Sequence, residues 1–440
     1  MTHIGILCPT LTGHLNPMIA LGGELQRRSH RVTVVGLIDG KAKVLAAGLE
    51  FLAIGTTEFP EGSTPQSLHQ LGELSGIAAL RYSLTLVKRA TAVLLAEGPA
   101  ALKTAGVDCL LIDQALHGGS TVAQVLNLPF ITVCCALMLN PEPDVPPFFT
   151  SWHYGSAGWA RLRNQAGYQL LALLANSSMR QIADYRQQWH LPPLRSQNDA
   201  YSELAQICQQ PAEFAFPRQF LPACFHFTGP YVNPTSRASV PFPFEQLTGQ
   251  PLIYASLGTL QNRLLWLFEA IAAACQGLDA QLVMALGGGA QPESLPPLPG
   301  SPLVVGYAPQ LELLQKAALT ITHAGLNTVL ESLSNGVPLV AIPVTNDQPG
   351  VAARIAWTGT GEFILPDQLT VPKLRRKIRQ VLTQTSYRQN AARLQQAIQA
   401  SGRAQQAADI IEQVISTGKP VLTTKQHAKE QGLYKFHNLV

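Results

Sequence analysis

The sequence is poor in charged residues. Asp, Glu, Lys and Arg make up 13% of its 440 residues, against about 25% in an average globular protein. Because 46% of the residues are apolar, the chain can build a large core, and disorder over its whole length is not expected. The net charge of +4 is too small to indicate a nucleic-acid partner, and we expect none. A charge-poor, proline-rich surface favours contact with apolar ligands or a membrane face.

Patterned cysteines and long apolar runs are also missing. The seven cysteines are scattered, odd in number and never arranged as Cys-x-x-Cys, which argues against a disulfide scaffold or a zinc module. No run of 18 apolar residues occurs, so no helix is expected to span a bilayer. The first residues do not have the pattern of a signal peptide. We therefore expect a cytoplasmic protein, with peripheral membrane association left open.

Helical patterns separate short apolar runs in both halves of the chain. The runs that we predict to be strands cover residues 4–9, 32–37, 109–112, 130–135, 251–256, 281–286, 303–305, 319–322 and 338–342. Such alternation predicts parallel sheets with right-handed crossovers. The expected fold class is therefore α/β, with two Rossmann-like, doubly wound domains facing across a cleft. Ligands of such sheets bind beyond the carboxyl ends of the strands.

Proline and lysine divide the chain further. Residues 230–250 are rich in proline and poor in helix formers, which predicts a linker between a domain at 1–229 and a domain at 251–416. Residues 417–440 form a basic tail with four lysines and one acidic residue, namely Lys419, Lys425, Lys429, Lys435 and Glu430. A solvated tail and a contact with anionic lipid headgroups both fit this pattern.

Polar residues follow the predicted strand at 319–322. Gly325 would let the backbone come close to a ligand, and a helix is predicted to begin near Asn327. The start of a helix presents free N–H groups and the positive end of the helix dipole, which suits a diphosphate. His323, Asn327 and Thr328 can add side-chain donors. Taken singly, His323 could be structural and Asn327 a helix cap, but the ordered set favours a binding site.

Further side chains around this segment suit a nucleoside and a sugar. Glu331 lies one turn along the predicted helix, where its carboxylate could accept hydrogen bonds from two ribose hydroxyls. Tyr307 offers a flat ring to a base, and Gln310 offers amide groups to a base edge or ribose. Asp347 and Gln348 provide the acceptors and donors that grip sugar hydroxyls.

The segment from Tyr307 to Gln348 resembles the signature of family 1 glycosyltransferases, the UDP-dependent glycosyltransferases. Residues 135–143 and 346–354 are similar to those of bacterial and cyanobacterial zeaxanthin glucosyltransferase-like enzymes. The resemblance implies the GT-B fold, a UDP-sugar donor and an apolar hydroxylated acceptor such as a hydroxylated carotenoid. It assigns the diphosphate to His323, Asn327 and Thr328.

The resemblance assigns roles to the remaining residues as well. Glu331 would hold the ribose, Tyr307 would stack on uracil, and Asp347 and Gln348 would bind the transferred sugar, most often glucose. Ser256 would donate to the phosphate. The other residues assigned to the donor site are Gly13, Ala308, Gln310 and Gly325. Plant members usually carry Trp where Tyr307 stands, so a thymidine diphosphate sugar stays an alternative donor.

Two residues in the first half suit proton transfer. His14 follows the first predicted strand and Asp113 ends the strand at 109–112, so both can face one cleft. A neutral imidazole can accept a proton near pH 7, and a carboxylate on its other nitrogen fixes its tautomer. The resemblance gives His14 the role of base and Asp113 that of its orienting acid. A packing role for His14 and a solvated strand end for Asp113 are the structural alternatives.

The expected reaction inverts the anomeric centre in one displacement. No Asp-x-Asp pair occurs, so we expect neither a metal nor any other cofactor. Alternatives are the same chemistry on smaller aglycones such as phenols, polyketides or sterols, or a UDP-sugar epimerase of the same architecture. Aromatic residues at 148–189 predict an acceptor wall, although ordinary helix packing also explains them. A basic helical pattern at 77–95, with Arg81, Thr85, Lys88 and Arg89, fits a lipid interface or a solvated face.

Overall fold

A computed structural model describes residues 1–74, 76–233, 240–259 and 263–423 of the chain. Within these ranges the chain forms two α/β units, each built around one sheet of parallel strands. The central strands are almost entirely buried and apolar, as expected for strands covered by helices on both faces. Ser75, residues 234–239 of the predicted linker and residues 424–440 of the predicted basic tail lie outside the described residues.

The first sheet has the strand order β3-β2-β1-β4-β5-β6-β7. Its strands are β1 (His3–Leu7), β2 (Arg31–Gly36), β3 (Glu50–Ala53), β4 (Cys109–Asp113), β5 (Phe130–Cys134), β6 (Gln206–Cys208) and β7 (Phe225–Phe227). Its helices are α1 (Thr12–Arg27), α2 (Lys41–Ala46), α3 (Ser63–Glu73), α4 (Gly76–Ala105), α5 (Gly119–Val125) and α6 (Gly158–Gln188).

The second sheet has the strand order β10-β9-β8-β11-β12-β13. Its strands are β8 (Leu252–Ser256), β9 (Gln281–Ala285), β10 (Leu303–Val305), β11 (Ala317–Thr322), β12 (Leu339–Ala341) and β13 (Gly361–Phe363). The helices that come after β8 in the chain are α7 (Leu265–Cys275), α8 (Gln310–Leu314), α9 (Leu326–Ser334), α10 (Gln348–Trp357), α11 (Val371–Thr383), α12 (Thr385–Ala400) and α13 (Arg403–Thr417).

All nine predicted strands are present, with ends within about two residues of the prediction. The sequence analysis missed β3, β6, β7 and β13, which are three or four residues long and lie toward the sheet edges. β10 and β12 are equally short but apolar throughout, whereas each missed strand contains a polar residue that interrupts the apolar run. The predicted α/β class with two doubly wound sheets is confirmed.

The last helix returns to the first half of the molecule. Side chains of α13 such as Ala407, Ile411 and Val414 belong to the same apolar core as β1 and α1. On the surface, Arg28 pairs with Asp409 at 2.6 Å and with Glu412 at 2.7 Å. The predicted domain limits stay predictions, but by its packing this helix belongs with the first core and not with residues 251–402.

The strand order of each sheet reverses at one place. In the first sheet this point lies between β1 and β4, where Leu7 pairs with Ile112. In the second sheet it lies between β8 and β11, where Ser256 pairs with Thr322. Loops leave the two central strands in opposite directions at such a point, which opens a crevice at their carboxyl ends. Each half of the molecule therefore has one crevice at a position set by its topology.

Candidate active site

The two crevices open into one cavity of about 2640 Å³ between the sheets. All fourteen residues predicted for catalysis or donor binding line it, and they come from both halves of the chain. His14 and Asp113 lie at the first crevice, whereas Ser256 and His323 lie at the second. A single small-molecule site usually measures about 300–1,000 Å³, so this cavity has room for two substrates at once.

His14 and Asp113 form a hydrogen-bonded pair. Nδ1 of His14, in the first turn of α1, lies 2.8 Å from Oδ2 of Asp113, the last residue of β4. The other oxygen of Asp113 accepts the backbone N–H of Ala115 at 2.8 Å. The carboxylate is thereby fixed and 1% exposed, while the imidazole keeps 17% of its side chain exposed. With the Nδ1 proton directed at Asp113, Nε2 is the basic nitrogen of His14.

The surroundings of His14 keep its ring basic. Burial by itself would lower the pKa of His14, but the charge and the hydrogen bond of Asp113 outweigh it, and the charge of Asp347 adds to them. The pKa of His14 is therefore raised above its ordinary value. Asp347 comes from the second half of the chain, so the base responds to charge on both walls of the cavity.

Two glycines enclose the ring of His323. A Cβ atom added at Gly258 would lie 2.5 Å from Cε1 of His323, and one added at Gly325 would lie 2.6 Å from Nε2. Gly258 also has a φ of 73°, which favours glycine, and its N–H donates to Oγ of Ser256 at 3.3 Å. The imidazole is thus held between two loops that can approach it only without side chains.

His323 is neutral at physiological pH. Burial lowers the pKa of His323 to about 4, and a hydrogen bond with the backbone of Ser256 opposes this only in part. The ring is 8% exposed and lines the cavity at the amino-terminal end of α9. A neutral ring has a single N–H, which can be donated to an anion without the ring first acquiring a proton when it points into the cavity and not at Ser256.

The turn before α9 differs from the prediction in two details. The helix begins at Leu326, one residue before the predicted start, and Gly325 has an ordinary φ of −63°. The residue with a left-handed backbone is Ala324, with a φ of 68°. Gly325 is therefore needed to leave room for the ring of His323, in addition to any approach of a ligand. Residues 325–328 all line the cavity, and no described side chain caps the helix.

Asn327 spans the cavity. Its Nδ2 donates to the carbonyl oxygen of Gly13 at 2.8 Å, and its Oδ1 accepts from Nε2 of Gln209 at 2.8 Å. Gln209 also donates to the carbonyl oxygen of Cys135. Asn327 is thus neither a helix cap nor placed only for a phosphate, because it joins the second half of the chain to the first turn of α1, which carries His14. The sequence analysis missed Gln209, which directly follows the short β6.

Gln310 contacts two predicted donor-site residues, Glu331 and Thr328, and the unpredicted Tyr254. Its Nε2 donates to Oε2 of Glu331 at 2.6 Å and lies 3.4 Å from Oγ1 of Thr328. Its Oε1 accepts from the hydroxyl of Tyr254 at 3.1 Å. Glu331 is 2% exposed but lines the cavity. The hydrogen bond from Gln310 therefore orients the carboxylate of Glu331. Gln310 also lines the cavity itself.

Tyr307 lies at the edge of the cavity with 57% of its surface exposed. The hydroxyl of Tyr307 touches Gly288, where a side chain would collide with the ring. Gly288 has a φ of 78° and belongs to the glycine-rich loop after β9. Ala308, next to Tyr307, lines the cavity as well. An exposed ring with an open face is suited to stacking on a base.

Asp347 and Gln348 lie at the start of α10 and differ in their hydrogen-bond partners. Oδ2 of Asp347 accepts the N–H of Leu137 at 3.1 Å. Burial raises the pKa of Asp347, against that hydrogen bond and the charge of His14. Oε1 of Gln348 accepts the N–H groups of Val344 and Thr345 at 2.8 and 2.9 Å. Gln348 thus fixes the loop before Asp347 with its carbonyl oxygen, which a sugar hydroxyl cannot then use freely.

The wall of the cavity in the first half is mainly aliphatic. Of the predicted aromatic residues, Phe148, Phe149 and Tyr168 line it. Others pack elsewhere: Tyr185 and Trp189 stack on each other at 5.0 Å against the core. Leucines of α3, α4 and α6 also line it, namely Leu68, Leu71, Leu84, Leu170, Leu171 and Leu174. The predicted aromatic wall is therefore only partly present. The packing alternative holds for Tyr185 and Trp189, whereas Trp159 is exposed.

Curated relatives of the chain align over nearly its whole length. Residues 83–401 match the family described as "UDP-glucoronosyl and UDP-glucosyl transferase". The chain is 36% identical over 430 residues to a zeaxanthin glucosyltransferase of Pantoea ananas, which covers 97% of this chain and 99% of the relative. It is 33% identical over 433 residues to another from Pseudescherichia vulneris, at 96% and 100% coverage.

Solved structures agree on the fold. The glycosyltransferase of kitacinnamycin matches 94% of this chain and 98% of its own, with a TM-score of 0.71 and 21% identity. The calicheamicin glycosyltransferase CalG4 matches 96% and 100%, with a TM-score of 0.69 and 23% identity. The predicted GT-B fold is thereby confirmed. The predicted activity class of glycosyl transfer is confirmed by the family match and by the two zeaxanthin glucosyltransferases. The chain belongs to the family of UDP-glucoronosyl and UDP-glucosyl transferases.

Proposed function

We propose that this enzyme transfers glucose from UDP-glucose to a hydroxyl group of a hydroxylated carotenoid and inverts the anomeric configuration. The observation that carries the proposal is the single cavity onto which a hydrogen-bonded His14–Asp113 pair and the neutral His323 both open. A base on one wall and an anion-binding helix start on the other are the two requirements of direct glycosyl transfer to an alcohol.

His14 acts as the base in this proposal. The acceptor oxygen attacks the anomeric carbon, the bond from that carbon to the diphosphate oxygen breaks, and the acceptor proton passes to Nε2 of His14. Asp113 holds the Nδ1 proton at 2.8 Å and stabilises the imidazolium that forms. Because attack and departure occur on opposite faces of the anomeric carbon, an α-linked donor gives a β-glycoside.

The departing diphosphate is stabilised at the start of α9. Residues 325–328 present backbone N–H groups at the positive end of the helix dipole, and His323 adds a neutral donor. We propose that these groups suffice and that transfer needs no metal or other cofactor. Activity should then be unchanged after the enzyme is treated with EDTA. Loss of activity on chelation and recovery with Mg²⁺ would contradict this part.

Two features support an apolar acceptor. The names of the relatives state zeaxanthin as their acceptor, and the first half of the chain lines the cavity with leucines. A wall with this many leucines favours a long apolar molecule over a small polar one. We further propose that the enzyme meets such an acceptor while bound peripherally to a membrane. Within the described residues, no helix is both long and apolar enough to cross one.

The nucleoside is the least constrained part of the proposal. Tyr307 offers a ring to either pyrimidine, and a methyl group would meet the open edge of the cavity at this exposed residue. We propose uridine from the family membership. Competition of UDP-glucose turnover by UDP and by dTDP measures the preference, and inhibition at lower concentration by dTDP would reverse the assignment.

A product assay tests the whole proposal. The enzyme is incubated with each of several UDP-sugars and with hydroxylated carotenoids, phenols and sterols, and both UDP release and the anomeric configuration are measured. We expect UDP release only when an alcohol is present, the fastest rate with UDP-glucose and a carotenoid diol, and a β-glucoside product.

Other outcomes point to the alternatives. A change of the UDP-sugar into its epimer without an acceptor would indicate a UDP-sugar epimerase. Faster transfer to phenols, polyketides or sterols would keep the chemistry and replace the acceptor. An α-glucoside would contradict the single displacement and the role of His14 in it.

A further inference from the structure

The outer side of α6 exposes large apolar side chains along one face. Trp159, Leu162, Leu170 and Leu173 are 69%, 69%, 50% and 71% exposed, at spacings that return to the same side of a helix. Between Arg163 and Arg180 the helix has no charged residue over sixteen positions. Isolated exposed leucines are ordinary, but a continuous apolar face is typical of a surface that meets a partner.

The inner side of the same helix forms the wall of the cavity. Leu170, Leu171 and Leu174 line it, and so does Val87 of the neighbouring α4. Leu170 and Val87 are exposed on the outer surface as well, at 50% and 38%. The apolar lining of the acceptor side therefore continues onto the exposed face of α6 through Leu170 and Val87.

Basic residues outnumber acidic ones on the two helices that carry this face. The acidic residues of α4 and α6 are Glu97 and Asp184, whereas their basic residues are Arg81, Lys88, Arg89, Lys103, Arg161, Arg163, Arg180 and Arg186. Four of these cations already have partners. Arg161 pairs with Asp144 at 2.5 Å and Arg89 with Glu58 at 2.6 Å. The guanidinium of Arg163 lies over the rings of Trp152 and Trp159 at 4.9 and 5.3 Å, and the buried Arg186 donates to Thr121 and Gln124. Arg81, Lys88 and Arg180 are exposed. An apolar face beside cations complements a bilayer that contains anionic lipid.

We propose that Trp159, Leu162, Leu170 and Leu173, with Arg81, Lys88 and Arg180 beside them, form a membrane-docking face for anionic bilayers, through which the acceptor enters the cavity. The proposal rests on the proposed function for the identity of the acceptor, but not for the docking itself. It adds α6 to the helix at 77–95 that the sequence pattern had suggested. An acceptor that enters beside Leu170 and Val87 can keep its apolar body in the lipid while one hydroxyl reaches His14.

Flotation with vesicles tests the docking. Vesicles of phosphatidylcholine with and without phosphatidylglycerol are mixed with the full-length enzyme and with Leu162→Glu/Leu173→Glu. We expect the wild type to float with the anionic vesicles and the double variant to lose at least tenfold of the bound fraction. Arg81→Gln/Lys88→Gln should weaken binding to anionic vesicles alone. The matched control is Leu45→Glu/Leu422→Glu, which changes two leucines exposed elsewhere and should float like the wild type.

Activity separates the entry route from the reaction. Transfer to a carotenoid diol is measured with the acceptor in vesicles and, separately, dispersed in detergent. The double variant should lose at least tenfold with vesicles and stay within twofold of the wild type in detergent. Unchanged flotation of the double variant, or full activity with vesicles after flotation is lost, would overturn the proposal, as would a dimer that only the wild type forms.

The failures of the two proposals are distinguishable. A wild type that glucosylates the diol in detergent but does not float leaves the proposed function intact and removes the docking face. A wild type that floats but transfers to no alcohol removes the proposed acceptor and leaves the docking face in place.

Discussion

Two histidines of the same cavity are shifted in opposite directions. His14 lies against the carboxylate of Asp113, and its pKa is raised despite burial. His323 lies between Gly258 and Gly325, out of contact with any described carboxylate, and burial lowers its pKa to about 4. Each follows the central strands of its sheet at the point where the strand order reverses. His14 follows β1, whereas His323 follows β11, the counterpart of β4. The same residue type at the crevices of two similar sheets has therefore been given different chemistry by its neighbours.

The difference fits what each wall must do. A base has to gain a proton and keep it during the reaction, which a neighbouring carboxylate favours. A group that holds a diphosphate gains more from a fixed dipole that is present at every pH in the working range. Each prediction below alters one side of this comparison, beginning with the one that should cost most activity.

Removal of the base should have the largest effect. His14→Ala should lower kcat by about 10²–10⁴-fold, the usual contribution of a general base, and should leave the affinity for UDP within twofold. Initial rates and calorimetric titration with UDP measure the two quantities. His153→Ala, at an exposed histidine that does not line the cavity, is the matched control. Undiminished turnover in His14→Ala would remove this residue from the mechanism.

The carboxylate should change both the rate and its pH dependence. His14 must be neutral to accept a proton, so its raised pKa puts the acid limb of kcat/KM above the ordinary value for histidine. Asp113→Asn removes the negative charge that raises this pKa, so the acid limb should move to lower pH. The plateau should fall by about 10²–10³-fold because an asparagine can favour the wrong tautomer. A pH–rate profile of both proteins measures this, and an unmoved limb would show that Asp113 does not act through His14.

The topology of the two sheets made it possible to predict which residues lie together at the site. Strands such as β4 and β11 are largely apolar runs that end in a polar residue, and parallel strands bring those ends to one edge of a sheet. Once two doubly wound sheets are inferred, His14 with Asp113, and Ser256 with His323, must be neighbours. The predicted residues therefore line a common cavity, although no periodicity in the sequence measures the distances between them.

Contacts between distant segments were not predictable in the same way. Asn327 bonds to Gly13 across more than three hundred positions, and its other partner, Gln209, follows a three-residue strand without a pattern. The need for glycine at 325 depends on the ring of His323 and not on the turn. Helix α13 follows the second sheet in sequence but packs with the first, and nothing local in its amphipathic pattern states which core it joins.

The enclosure of His323 can be tested by changing the ring and one of the glycines around it. His323→Gln removes the ring, and Gly325→Ala places a methyl group where its Nε2 now lies 2.6 Å away, so the ring must move. Each should weaken binding of UDP by about 10–100-fold, the worth of a hydrogen bond to a charged group, and the double variant should be no weaker than either. Gly158→Ala, where a Cβ meets nothing within 4 Å, is the control. Additive losses would separate the glycine from the ring.

The pH dependence of donor binding sharpens the same comparison. With a pKa of about 4, His323 stays neutral between pH 5.5 and 8, and the diphosphate of UDP-glucose does not titrate there. The Kd for UDP-glucose should therefore vary by less than about twofold over this range, while kcat rises through the raised pKa of His14. Calorimetry at several pH values measures it. A steep loss of affinity toward high pH would mean that a protonated histidine holds the donor.

Of the substitutions considered, those that remove the bridge formed by Asn327 should have the smallest effect on kcat. Asn327 now bonds to the carbonyl of Gly13, next to His14, and to Gln209. If Asn327 positions the first turn of α1, which carries the base, Asn327→Ala and Gln209→Ala should each lower kcat by about 2–10-fold, the worth of one neutral hydrogen bond. The Kd for UDP should not change. The double variant should cost no more than one change alone, because both remove the same bridge. Asn198→Ala, at an exposed site, controls for the substitution. A loss of UDP affinity in Asn327→Ala but not in Gln209→Ala would instead make Asn327 a phosphate ligand, as its place in the sequence suggests. The second half of the chain would then act on His14 only through the charge of Asp347.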